Sequence, residues 1–64
     1  MMFGEKVKFA EPHNVHIDLR DKEFCLIGSD ESAFALIEWD KRGEYGFEFY
    51  SGDPEKLLVV VPNV

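Results

Sequence analysis

The chain has 64 residues, seven Lys or Arg against thirteen Asp or Glu, a net charge of −6 and one cysteine, Cys25. That length excludes a second core, so residues 1–64 read as a single small domain that buries only about 60% of the surface its unfolded form exposes. The charge disfavours nucleic acid and favours a basic partner. The lone cysteine excludes an internal disulfide, and no stretch is long and apolar enough for a secretory leader or a membrane span. A cytoplasmic protein with no membrane partner is expected.

Taken in chain order, Phe3, Val7 and Phe9 alternate with Lys6 and Lys8, which predicts a half-buried strand. Glu11, Pro12, His13 and Asn14 form a turn. Val15, Ile17 and Leu19 then alternate with polar residues, and Asp21-Lys22 reads as a two-residue turn. In that register Leu19 opposes Phe24, Ile17 opposes Leu26 and Arg20 opposes Glu23. A four-residue loop, residues 29–32, leads on to a strand in which Leu26 opposes Ala35 and Phe24 opposes Ile37. Residues 40–43, Asp-Lys-Arg-Gly, suit a type I turn closed by a left-handed residue. Trp39 then opposes Tyr45, Ile37 opposes Phe47, Ala35 opposes Phe49, Leu36 opposes Glu48 and Phe34 opposes Tyr50. Residues 57–61 are apolar on both faces and need cover from a helix, from barrel closure or from another subunit.

This reading gives an all-β fold: a small antiparallel meander of five or six strands, closed or nearly closed into a barrel. Its core row is Val15, Ile17, Leu19, Phe24, Leu26, Ala35, Ile37, Trp39, Tyr45, Phe47 and Phe49. An α+β alternative stays open. Residues 30–42 also fit a helix capped by Asp30, started by Glu31, ended by Lys41-Arg42-Gly43 and packed on an antiparallel sheet through Ala33, Phe34, Leu36, Ile37 and Trp39.

The chemistry-bearing residues are sparse. Glu11, His13, His16 and Asp18 supply ligand types for zinc, but their spacing is not diagnostic. Cys25 faces Asp18 rather than a base, which is no nucleophile's setting. No phosphate loop or serine elbow occurs. Residues 42–50 run basic-Gly-x-aromatic-Gly-aromatic, close to the order of an RNA-stacking strand. Glu44 is an extra residue there, and Glu48 stands at an aliphatic position, so the platform would repel phosphate. No catalytic residue, cofactor or metal is therefore expected.

The second sheet face of the meander carries Asp18, Ile27, Phe34, Leu36, Glu38, Glu48 and Tyr50, an apolar centre with an acidic rim. That is the composition of a protein interface. The function expected is a small acidic protein-binding module, accessory, regulatory or inhibitory, with another protein as partner. Two readings stand beside it: a self-associating assembly protein, and a metal-binding protein using His13, His16 and Asp18.

Overall fold

Alternation at Val7 and Phe9 builds the first strand, while Phe3 of the expected pattern lies before it and is 63% exposed. In the computed structural model, which describes residues 2–11, 13, 15–44 and 46–62, β1 (Lys6–Phe9) buries Val7 and Phe9 and leaves Lys8 outside. Four further strands join it: β2 (Phe24–Ser29), β3 (Ala33–Glu38), β4 (Glu48–Ser51) and β5 (Leu58–Val60). They form one antiparallel sheet in the order β4-β3-β2-β1-β5. The first four strands are a meander. β5 returns beside β1 after a single helical turn, α1 (Pro54–Leu57), which Asp53 caps by accepting the Glu55 N–H at 3.0 Å. The all-β meander holds. Closure does not, because β4 and β5 lie at opposite ends of the strand order and both are edges.

Residues 30–42 form no α-helix. β3 is bonded to β2 on one side and β4 on the other, and this two-sided pairing outweighs the helical period of its sequence. Asp30 does cap, but it caps a turn: its Oδ1 accepts the Ser32 N–H at 2.8 Å and the Ala33 N–H at 2.9 Å. The Asp30 N–H reaches the Ala33 carbonyl at 2.9 Å and closes the β2–β3 hairpin.

That turn, with a bulge at Ile27 between Leu26 and Gly28, shifts the hairpin one residue from the expected register. Leu26 faces Leu36, and Phe24 faces Glu38. A one-residue slip turns every side chain of a strand over. Phe34 and Leu36 therefore enter the core, while Ala35 and Ile37 go to the other face. The exchange gives the core cluster the bulkier pair, while Ala35 and Ile37 are buried on the opposite face, each 6% exposed. The core is Val7, Phe9, Phe24, Leu26, Phe34, Leu36 and Leu58, with Val15, Leu19 and Tyr50 packed against it. Tyr50 stacks on Phe34 at 5.6 Å between ring centres and meets Phe9 edge-on at 5.4 Å.

The expected strand at 15–20 is also absent. Ile17–Leu19 is one 3-10 turn, with His16 Nδ1 accepting the Asp18 N–H at 3.2 Å. β2 pairs with β1 instead, Lys6 opposite Cys25 and Val7 opposite Phe24. Ile17 is consequently exposed, and Val15 and Leu19 cover one end of the core.

The β3–β4 register is the expected one: Leu36 faces Glu48, Ala35 faces Phe49 and Phe34 faces Tyr50. The connection is longer than a three-residue loop. It opens with a 3-10 turn, Trp39–Lys41, and then uses Gly43 at φ +93° as the left-handed residue. Of the remaining core row, Phe47 and Phe49 are exposed, Trp39 is half-buried, and the Trp39–Tyr45 pair lies outside the described residues.

Candidate functional site

On the core side of the sheet, a groove of about 380 Å³ runs beneath β4. Leu19, Phe24 and Leu36 form its floor, and Glu38, Glu44 and Glu48 stand along it. Tyr50 ends it. The expected residues Leu36, Glu38, Glu48 and Tyr50 thus meet at one site. Phe34 lies in the core beside it, 2% exposed. Asp18 sits on the 3-10 turn, exposed, and Ile27 is the bulge residue. The seven residues therefore do not form the single outer face drawn from the sequence. The apolar centre lies on the core side, and most of it is buried.

The carboxylates of the groove are not equivalent. Glu38 is bracketed by Lys22 Nζ at 2.6 Å and Lys41 Nζ at 2.9 Å. The Lys22 hydrogen bond, then that of Lys41, holds the Glu38 carboxyl below its usual range, and Glu38 in return raises Lys41. These two cations are committed to one acid. Glu44 adds only a weaker attraction on Lys41. Among the described residues, Glu48 forms no ion pair. Burial, then the charges of Glu48 and Glu38, pushes the Tyr50 phenol up. Lys22 and Lys41 line the groove as well, so its three carboxylates exceed its two cations by one, and with both lysines paired to Glu38 the surplus negative charge falls to Glu44 and Glu48.

β4 adds a second property. The Gly52 N–H donates to the Ser32 carbonyl at 2.8 Å, which continues the ladder past the strand end. Residues 48, 50 and 52 thus turn their backbone groups towards β3, and the alternate residues, Phe49 and Ser51, turn theirs outward. Among the described residues nothing binds those outward groups. Phe49 (73% exposed) and Phe47 (48%) meet edge-on at 5.2 Å on the face away from the groove.

β5 is built differently. The Ala10 N–H donates to the Leu57 carbonyl and the Val61 N–H to the Lys6 carbonyl, so Leu58 and Val60 carry the outward groups. The Leu58 N–H is already bound to the Pro54 carbonyl. The next outward position, Pro62, has no N–H. Only Leu58 of this strand is buried, so the two-sided apolar segment is covered on one face alone.

Other candidate chemistry is dispersed. His16 Nδ1 and Asp18 Oδ2 lie 3.5 Å apart, both exposed, and no three potential ligands gather among the described residues. Cys25 is buried opposite Ile37. Trp39 takes the Arg42 guanidinium at 3.6 Å and the Lys6 ammonium at 4.8 Å over its ring, which engages the aromatic with the chain's own cations. No helix among the described residues is long and apolar enough to cross a membrane.

Sequence reasoning missed the floor residues Leu19 and Phe24, the loop residue Glu44 and the open edge. One signal was available. The strand Glu48-Phe49-Tyr50-Ser51 holds neither Pro nor Lys, the residues that guard an exposed edge, whereas Pro62 follows β5. The chain matches no known protein family, and no curated protein or solved structure resembles it significantly.

Proposed function

We propose that the protein is a small protein-binding module, an accessory or inhibitory partner, that docks a basic segment of another protein in the groove beneath β4. One observation carries this reading: a groove lined by both apolar and acidic residues in which Lys22 and Lys41 pair with Glu38 while Glu48, among the described residues, makes no ion pair. A Lys or Arg entering there gains a carboxylate and lays its alkyl stem on apolar surface. Such a module acts by occupancy, covering a segment its partner needs exposed.

The test is a titration with a lysine-rich peptide, followed by amide chemical shifts. Shifts should centre on Glu44, Gly46, Glu48 and Tyr50, and Glu48→Lys should abolish them. Affinity should fall as salt rises, since screening acts on such partly exposed charges. Binding that ignores salt, or that survives Glu48→Lys, contradicts the reading.

A further inference from the structure

We propose that the partner segment binds as an added β-strand on the open edge of β4, and that it is an extended peptide alternating Lys or Arg with apolar residues. The inference rests on the groove reading above and adds to it the backbone mode and the side-chain pattern.

The edge fixes the mode. Phe49 and Ser51 each hold an N–H and a carbonyl in the strand plane, pointing away from β3. A strand laid alongside satisfies all four groups with its own alternate residues, which is the main-chain part of strand addition. The two faces of β4 then fix the pattern, because side chains of a strand alternate. Partner residues beside Glu48 and Tyr50 lie over the groove, under the field of Glu48. Residues beside Phe47 and Phe49 lie against the exposed aromatic pair. Basic side chains suit the first row and apolar ones the second.

The occupant is not a second copy of this chain. Another β4 would bring a second Glu48 to the groove row, and no cation, from a molecule that also carries −6. Nor does the β5 edge compete, since its outward N–H groups are reduced to that of Val60.

The probes are three acetylated octapeptides: alternating Lys and Val, the same peptide N-methylated at every second residue on the bonding side, and alternating Glu and Val. Each is titrated into the full chain, with amide hydrogen exchange read at Phe49 and Ser51. The Lys/Val peptide should bind and slow exchange at both amides. The N-methylated and Glu/Val peptides should not. Ser51→Pro removes an outward N–H and no ladder bond, so it should keep the fold and weaken the Lys/Val peptide about tenfold, the weight of one backbone hydrogen bond.

Outcomes separate the two proposals. If Glu48→Gln weakens binding while Ser51→Pro and N-methylation do nothing, the groove reading stands and strand addition falls. If Phe49 and Ser51 are protected equally by the Glu/Val peptide, the edge is open but the basic-partner reading falls. A free chain that sediments as a dimer and becomes monomeric in Ser51→Pro replaces the peptide by a second copy and overturns this proposal.

Discussion

The two edges of this sheet differ in composition, and their openness to pairing runs opposite to what composition alone suggests. β5 is the more aliphatic, Leu58-Val59-Val60, and from its composition the more exposed to unwanted pairing. It is guarded by its neighbours: the turn before it takes up the Leu58 N–H, and a proline follows it. β4 carries two polar residues and two aromatics, yet nothing among the described residues occupies its outward groups. Edge behaviour is therefore set by which backbone groups are already bonded, not by how apolar the strand is.

The largest expected effect contrasts one residue from each edge. Leu58 is 2% exposed and anchors β5 to the core, so Leu58→Ala should destabilise by ~2–5 kcal/mol. Phe49→Ala, at an exposed site on β4, should cost under about 1 kcal/mol even with its edge-on contact to Phe47 lost. Urea midpoints for the two variants measure the difference. Equal losses would mean that β4 is held by its outer face, and the contrast would fail.

Asp53→Ala should have an intermediate effect, about 1 kcal/mol, because it removes the cap of α1. The turn that binds the Leu58 N–H would fray, and hydrogen exchange should rise at Leu58 before it rises at any β4 amide. If β4 opens first, the guarding of β5 does not depend on that turn.

Acidification should act more weakly, since the groups concerned are open to solvent. Backbone hydrogen bonds from Ser32 and Ala33 hold the Asp30 carboxyl below its usual range, as Lys22 and Lys41 hold that of Glu38. A depressed carboxyl contributes stability that is present above its unfolded pKa and lost as pH falls through the folded one. Denaturant midpoints should therefore fall on going below the ordinary carboxylate range, and Asp30→Asn with Glu38→Gln should flatten that fall. Both groups flank β3, so exchange should quicken in the β2–β3 turn and around the groove rather than at β5.

The sequence made β1, the β3–β4 register and the left-handed Gly43 legible, because each rests on a local pattern with one good solution. The rest depended on choices that local pattern leaves open. Asp30 accepts the N–H groups two and three residues ahead of it, which is what a helix cap does and equally what this hairpin turn does. The alternation of Val15, Ile17 and Leu19 fits a strand, but β1 takes the place beside β2 and leaves that segment to curl over the core. Four of the expected residues stayed together through the slip. Leu36, Glu38, Glu48 and Tyr50 share one face of the β3–β4 pair whichever way it is turned, so the correct register brought them together. Phe34 shares that face too and is as buried as Leu36, but it lies beside the groove rather than lining it.

The bulge at Ile27 has a consequence for how this chain can change length. Because Leu26 already faces Leu36 and Gly28 already faces Ala35, Ile27 is a spare residue in the ladder. Removing it would leave the pairs on either side in register, whereas a deletion within β3, which has no spare residue, would turn part of that strand over and exchange interior for exterior. The hairpin thus carries one residue of slack at the bulge, where a lost codon need not rewrite the inside of the protein.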